Sequence, residues 1–271
     1  MKRRLSAAGI VAALTAVGPT VAASEHECLI EPSKTVDVRA SSEGVLKAVL
    51  VDRGDRVRQG QVLALLEAGP EQAANVLAKY RAETESALQA ADTRLAFAKR
   101  KAQRMDELHK QNFVSAQARD EAFAELGLAE AQDREARENK RIAQLEELRS
   151  GAVLGQRTVT SPVTGIVVER GLNAGEVVTN DSKKAIFRLA VLDPLHIEVV
   201  VPVAKYGSIK PGMRAEIIPE VAITKGKLFA RVKIIDRMVD APSGTFGVRL
   251  ELANPHYAVP SGIKCKARFP D

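Results

Sequence analysis

Few residues in this chain of 271 amino acids have side chains suited to covalent or metal chemistry: it holds two cysteines and four histidines. The cysteines, Cys28 and Cys265, stand near the two ends of the sequence. In an oxidising compartment an isolated pair of cysteines often forms a disulfide, and two unrelated buried thiols are the alternative. We expect the bridge, while the residues alone leave both readings open.

The histidines give no metal-binding pattern, because they lie far apart in the sequence. Two cysteines cannot build a structural zinc site by themselves. The sequence also contains no nucleophile elbow, phosphate-binding loop or histidine pair at metal-ligand spacing. We therefore expect a chain that is not an enzyme, with no catalytic residue, no metal and no cofactor. The four histidines are His26, His109, His196 and His256.

The first 23 residues have the composition of a secretory signal peptide. Lys2, Arg3 and Arg4 precede an apolar run at residues 5–17, and small residues follow at 21–23. The run is too short to span a bilayer of about 30 Å comfortably, although an uncleaved anchor is the alternative. We expect cleavage after Ala23 and a soluble protein of the cell envelope.

The charge balance argues against a nucleic-acid partner. Without the first 23 residues the chain has 37 basic and 34 acidic residues, interleaved along the predicted helices, and it has no tryptophan. A nucleic-acid binder concentrates basic residues on one surface and adds aromatic residues that stack on bases. The charges here are typical of solvated helix faces.

The middle of the chain, residues 70–150, predicts a long antiparallel helical hairpin. Residues 71–111 contain no Gly or Pro, and small or apolar residues recur every three or four positions, as in a coiled-coil seam with one irregularity. A break follows at 112–114, and Ser115 is a plausible N-cap for the second helix. At 1.5 Å per residue the hairpin is about 50–60 Å long. The predicted seam comprises Leu77, Tyr80, Thr84, Leu88, Ala91, Leu95, Ala98, Ala102 and Met105, then Ala122, Leu126, Ala129, Ala136, Ala143, Leu145 and Leu148.

The segments on either side of the hairpin, 36–68 and 156–191, form an internal repeat. Each has small residues, a glycine, two apolar residues, a glycine turn and then Gly-polar-Val-apolar. Residues 192–271, joined by 24–35, contain several short strands separated by turns, which predicts a small β-barrel. The repeat's glycines are Gly44, Gly54 and Gly60 in the first copy, and Gly165, Gly171 and Gly175 in the second.

Two β half-motifs separated by a helical hairpin and followed by a β-barrel resemble the periplasmic adaptor family, also called membrane fusion proteins, of RND and ABC efflux and secretion systems. The resemblance implies a mostly β fold: a split lipoyl-like, or barrel-sandwich hybrid, domain with an inserted coiled-coil hairpin, plus a small barrel. It also implies a periplasmic protein that links an inner-membrane transporter, RND or ABC, to an outer-membrane channel. Such adaptors assemble as homo-oligomeric rings, often hexamers, whose hairpins form a tube.

The hairpin break carries the most specific part of the resemblance. Family members that dock to an outer-membrane channel have an arginine, a leucine four residues later and a serine seven residues after that. Arg104, Leu108 and Ser115 stand at these intervals, and Asp120 follows. The resemblance implies that the arginine donates hydrogen bonds to the channel, that the leucine fills an apolar notch and that the serine caps or bonds at the loop. A solvated arginine, a seam leucine and an N-cap serine are the ordinary readings.

Two other functions are compatible with parts of the sequence. A lipoyl or biotinyl carrier has the same half-motifs but presents a modified lysine in a tight hairpin between them, where this chain has about 80 helical residues. A coiled-coil structural protein of the envelope needs the helices but neither the half-motifs nor the barrel. The metal-efflux subgroup uses methionines near its N-terminus, and none lies between the signal peptide and Met105. We therefore expect no metal transfer.

Overall fold

The computed structural model describes residues 25–179, 184–221 and 227–270, so the predicted signal peptide lies outside the described residues. The chain divides into two compact units, Lys34–Val191 and a second unit that combines Met1–Ser33 with Leu192–Asp271. No helix in the described residues has the length and apolarity needed to cross a membrane. The predicted fold class, mostly strands with an inserted helical hairpin and a small barrel, is confirmed.

Twelve strands and three α-helices make up the described part of the chain. They are β1 (Glu25–Val38), β2 (Gly44–Val49), β3 (Arg56–Val57), β4 (Val62–Leu66), α1 (Gly69–Glu83), α2 (Ser86–Lys110), α3 (Ala116–Gly155), β5 (Thr158–Thr160), β6 (Gly165–Arg170), β7 (Val177–Val178), β8 (Phe187–Pro202), β9 (Arg214–Pro219), β10 (Leu228–Ile235), β11 (Thr245–Leu252) and β12 (Ile263–Arg268).

The two half-motifs fold against each other although the hairpin separates them in sequence. Strand β2 of the first half pairs with β7 of the second, β3 pairs with β6, and β4 pairs with β5, all antiparallel. Apolar residues of both halves then share one core, so neither half buries its apolar face alone. The largest fully buried members of this core are Leu46, Val57, Leu63, Val167, Ile186, Phe187 and Leu189.

The structure gives the internal repeat a different alignment from the one read in the sequence. The backbone N–H of Gly54 donates to Val167 O (2.8 Å), and that of Gly175 donates to Leu46 O (2.7 Å). Gly54 and Gly175 each lie ten residues after the glycine that opens their half, and both have left-handed φ values, +96° and +89°. By local sequence Gly175 matches Gly60 instead, because both precede a polar residue and a valine. The spatial symmetry follows the turns and not that local similarity.

The first arm of the hairpin is two helices and not one, because the chain breaks at Thr84 and Glu85. Thr84 is extended (ψ 127°), and its carbonyl accepts a hydrogen bond from Lys140 Nζ (3.2 Å) in α3. A continuous helix turns about 100° per residue, which would put Ala91 on the opposite side from Ala82. Both alanines are buried, so the break resets the helical phase and lets α1 and α2 each face α3.

The seam prediction is confirmed in the distal part of the hairpin and wrong near its base. Ala91, Ala98 and Ala102 of α2 and Ala122 and Ala129 of α3 are all buried. Small side chains permit this close approach of the two helices. Four residues near the base that were predicted in the seam are instead exposed: Leu77, Tyr80, Leu145 and Leu148. The helix break and the mismatch between the apolar spacing and the helical repeat turn these side chains towards solvent.

The barrel has the strand order β1-β12-β9-β10-β11-β8, and an additional β1–β8 pairing closes it. Cys28 on β1 stands directly opposite Cys265 on β12, with Cα atoms 4.8 Å apart, and the two form a disulfide. The expected bridge is therefore present, and it ties the first strand of the barrel to the last.

Candidate functional site

The chain reverses at the hairpin tip through a tight helix-ending motif. Asn112 adopts a left-handed conformation (φ +54°), its backbone N–H donates to His109 O (2.9 Å), and that of Phe113 donates to Leu108 O (2.9 Å). This pair of bonds is the Schellman motif, in which asparagine is one of the few non-glycine residues tolerated. The turn therefore satisfies the last carbonyl groups of α2 and holds the tip in one conformation.

Ser115 begins the return helix. Its Oγ accepts a hydrogen bond from the backbone N–H of Ala118 (3.2 Å), which confirms the predicted N-cap. Nδ1 of His109 lies 3.1 Å from Val114 O, so the imidazole bridges the end of α2 and the residue before the cap. His109 thus has a local structural role at the tip, while the hydroxyl of the neighbouring Ser115 is engaged with the backbone of its own helix.

Arg104 and Leu108 lie one helical turn apart on α2, just before the reversal. Arg104 is exposed and forms no ion pair with any residue that the structure describes, whereas Leu108 is half-buried. The turn places both at the same end of the hairpin as Ser115. Two other cations of the tip are paired: Lys110 with Asp106 (2.6 Å) and Arg119 with Asp120 (3.3 Å). Arg104 is therefore the cation of this end that remains available to a partner.

The pairing of Asp106 with Lys110 sets the charge state of the tip. The hydrogen bond from the Lys110 ammonium lowers the pKa of Asp106, and the nearby charges of Lys110, Arg119 and His109 act in the same direction. The same hydrogen bond raises the pKa of Lys110. Both groups stay ionised at neutral pH and neutralise each other, so Asp106 does not pair with Arg104.

Sequence reasoning missed Phe113, which the structure places at the apex. It is 74% exposed although its backbone is fixed by the bond to Leu108. An exposed aromatic residue on a rigid backbone loses little conformational entropy on binding, which suits a contact residue. Its position inside the predicted break could have identified it as a contact residue, since a large apolar side chain in an exposed turn often has a binding role.

A polar cluster within the hairpin fixes how α2 and α3 align. Arg137 donates from Nε to Asp133 (2.8 Å) and from Nη2 to Asp92 across the seam (2.5 Å). Asp133 is only 7% exposed, and the bonds from Arg137 lower its pKa, so it is ionised inside the seam. Buried polar contacts of this kind select one register in coiled coils. The cluster therefore fixes which residues of α2 and α3 reach the tip.

The base of the hairpin is fastened to the first half-motif by Arg157. Its guanidinium binds the Glu71 carboxylate (2.6 Å) at the start of α1 and also donates to Glu43 O just before β2. The hydroxyl of Ser42 donates to Gln156 O (3.2 Å) at the end of α3. These contacts couple the hairpin's base to the domain from which it emerges.

The predicted turn glycines of the half-motifs serve two purposes. Gly44, Gly54, Gly60 and Gly175 have positive φ values, whereas Gly165 and Gly171 are required by close packing. A Cβ at Gly165 would overlap the carbonyl oxygen of Ala190, and one at Gly171 would overlap that of Ala185. Among the described residues, no group of three or more His, Cys, Asp or Glu side chains is placed to hold a metal ion.

Comparison with known proteins gives matches over most of the chain. A family model described as "CzcB-like, barrel-sandwich hybrid domain" matches residues 34–191. Among curated proteins, the efflux pump periplasmic linker BepD of Brucella suis is 26% identical over 91% of this chain and 62% of its own length. The multidrug resistance protein MdtE of Escherichia coli is 25% identical over 83% of this chain and 58% of its own.

The cobalt-zinc-cadmium resistance protein CzcB of Cupriavidus metallidurans is 26% identical over 88% of this chain and 42% of its own length. The chain therefore spans between about two fifths and three fifths of these three relatives. Among solved structures, MacA from Actinobacillus actinomycetemcomitans superposes with a TM-score of 0.73 at 22% identity, over 91% of this chain and 78% of that one. This likeness supports the fold described above.

Proposed function

The chain belongs to the family with the CzcB-like barrel-sandwich hybrid domain, the periplasmic adaptors or membrane fusion proteins of efflux systems, and from this premise we propose that it is the adaptor subunit of a tripartite efflux or secretion complex. It links an inner-membrane transporter, of the RND or ABC class, to an outer-membrane channel. It acts through contacts between proteins and carries out no catalytic step.

One observation carries the proposal: the position that a carrier domain uses for its lysine-bearing turn is occupied here by the hairpin α1–α3. The two half-motifs close around the hairpin's base, and α3, at 40 residues, is about 60 Å long. The hairpin buries mainly small residues in its own seam and ends in a rigid, exposed tip. Reach towards a distant partner is the use that this geometry supports best.

At the tip, Arg104, Leu108 and Ser115 are the proposed docking residues. The guanidinium of Arg104 is free to donate to carbonyl or carboxylate oxygens, for which its planar fork is well suited. Leu108 contributes an apolar contact beside it. Ser115 acts indirectly, because its hydroxyl caps α3 and so holds the tip in place.

The remaining parts of the chain have roles in assembly. We place the lipoyl-like domains in a collar of a homo-oligomeric ring, a hexamer, with the hairpins forming a tube and the barrel facing the transporter. The buried alanines of the distal seam support close helix packing within each hairpin. Sedimentation of the adaptor with both partner proteins tests the ring, since a strictly monomeric chain contradicts it.

The docking role is tested by Arg104→Asp, with Arg94→Asp as the matched control. Both arginines are exposed residues of α2 in no ion pair with a described residue, and Arg94 lies about 15 Å further from the tip along the helix. Chemical cross-linking in cells followed by purification of the adaptor measures the recovered outer-membrane channel. We expect Arg104→Asp to abolish recovery while Arg94→Asp preserves it, with circular dichroism unchanged in both. Equal recovery from the two variants contradicts the docking role.

A further inference from the structure

A cavity of about 530 Å³ opens at the rim of the β-barrel, where β12 ends and β9 begins. It belongs entirely to the barrel unit and is separate from the hairpin tip and from the cross-half pairings. Its volume lies within the range of about 300–1,000 Å³ that small-molecule sites occupy. Its lining residues are His26, Lys205, Ser208, Ile209, Lys210, Met213, Phe269 and Pro270.

The floor of the cavity is apolar and partly aromatic. Ile209 and Phe269 are buried, and Met213 is half-buried. Phe269 packs its ring 5.8 Å from the imidazole of His26, measured between ring centroids. The sulfur of Met213 accepts the backbone N–H of Lys210 (3.0 Å), which fixes the loop that carries the lysine. The floor therefore offers a preformed surface to an apolar group.

The charged residues among the described lining of the cavity are lysines. Lys205 and Lys210 are exposed at its rim, and neither forms an ion pair with a residue that the structure describes. No carboxylate is among the lining residues that the structure describes. Burial, together with the charge of Lys205, lowers the pKa of His26, so this imidazole is neutral near pH 7. Two ammonium groups thus stand beside an apolar floor without a described counter-charge.

We propose that this cavity binds an anionic amphiphile, with a carboxylate or phosphate head between Lys205 and Lys210 and its apolar part on Ile209, Met213 and Phe269. Lysine recognises such heads as a point charge without strict geometry. The apolar part supplies binding energy in proportion to the area that it buries. A free fatty-acid-like molecule and a membrane phospholipid share this chemistry, and the two sources are separated below.

Octanoate is the first probe, and Met213 and His26 are the reporters. The chain has four methionines and four histidines, so selective methyl labelling of methionine and the imidazole C–H signals resolve each position by NMR. Octanoate should shift the signals of Met213 and His26 and leave those of Met105, Met238 and His196 unchanged. If Met213 and His26 do not move, or all methionines move together, the proposed site is wrong.

Charge recognition is tested by Lys205→Gln with Lys210→Gln. Loss of two exposed ion pairs should weaken octanoate binding about tenfold, since each such pair contributes modestly. Lys264→Gln, which removes an exposed lysine of β12 outside this cavity, should leave the affinity unchanged. Binding of 1-octanol or octyltrimethylammonium as tight as that of octanoate refutes recognition of the anion. Inorganic phosphate binding as tightly as octanoate refutes the role of the apolar floor.

Vesicles separate the two sources of the ligand. Co-sedimentation with phosphatidylglycerol vesicles but not with phosphatidylcholine vesicles, abolished by the two lysine substitutions, identifies a membrane lipid. Octanoate binding without co-sedimentation identifies a free amphiphile. Both results are consistent with the proposed site. The site is refuted if octanoate does not bind and the lysine substitutions leave co-sedimentation unchanged.

Discussion

Replacing Leu46 by alanine should destabilise both half-motifs together, because its side chain lies in the core that they share. Leu46 is 1% exposed on β2, in a core with Val167 and Phe187 of the second half. Its backbone also exchanges hydrogen bonds with residues of the second half, from Gly175 (2.7 Å) and to Glu176 (2.9 Å). Loss of packing at Leu46 should therefore also destabilise the second half-motif, which follows the hairpin in the sequence.

The magnitude follows from the atoms that are removed. Leucine to alanine deletes three carbons, which at about 0.8 kcal/mol each gives about 2.4 kcal/mol of transfer free energy. The cavity left behind adds to this, and buried Leu→Ala substitutions cost about 2–5 kcal/mol overall. We expect about 3 kcal/mol here, which corresponds to about a hundredfold change in an opening equilibrium.

Hydrogen exchange measured by mass spectrometry reads this change for each segment separately. Amides that exchange only when the shared core opens should exchange about a hundredfold faster in peptides from 44–66 and from 159–178 alike. The control, Leu128→Ala, removes the same atoms from a side chain that is 62% exposed on α3 and should change stability by less than about 0.5 kcal/mol. Faster exchange confined to residues 44–66 refutes a core shared between the halves.

Three further predictions concern the tip and the barrel. Asn112→Ala should destabilise the reversal by about 1 kcal/mol, because alanine tolerates the left-handed conformation less well than asparagine; the Phe113 amide should lose protection from exchange, Asn112→Gly should retain it, and unchanged protection in Asn112→Ala contradicts the motif. Because the pKa of Asp106 is lowered below its ordinary 3.8, its ion pair stabilises the tip above that pH, and this stabilisation is lost as the pH falls through the lowered value. An NMR titration should therefore find the Asp106 midpoint below 3.8, moving up in Lys110→Gln, and a midpoint at or above 3.8 in the unaltered protein is the opposing result. Replacing both Cys28 and Cys265 by serine should destabilise the barrel by about 2–5 kcal/mol and lower its melting temperature. A reductant should lower the melting temperature of the unaltered protein in the same way and leave that of the variant unchanged. Equal melting temperatures of the two proteins without reductant argue against a stabilising bridge.

The fold class was predictable because its signals are local and strong. A stretch without Gly or Pro over residues 71–111 predicts helix, and glycine-punctuated alternation predicts short strands. Ser115 was recognised as an N-cap from its residue type and place alone. The break at Thr84 carries no such signal, since neither Gly nor Pro marks it. The break is required because α1 and α2 both pack on α3. The residue pattern of one helix does not contain this information.

The inner face of the hairpin was predictable only where small residues mark it. Ala98 and Ala102 identify the distal seam, because close helix packing needs small side chains. Near the base, Leu77 and Leu145 were assigned to the seam for their apolarity, yet both are exposed, and midway along the hairpin the seam includes the charged Asp133. Hydrophobicity alone misleads in a narrow two-helix interface, where a buried carboxylate held by Arg137 is accommodated and apolar residues face outward.

The proposed adaptor function requires that the hairpin tip contact an outer-membrane channel. A photoreactive amino acid in place of Phe113 tests it most directly, with the same amino acid in place of Phe97 as the control, since Phe97 is also exposed (62%) but lies on the flank of α2. After irradiation of intact cells, we expect a covalent adduct between position 113 and an outer-membrane protein, and none with that protein from position 97. No adduct from position 113, or the same adduct from both positions, contradicts it.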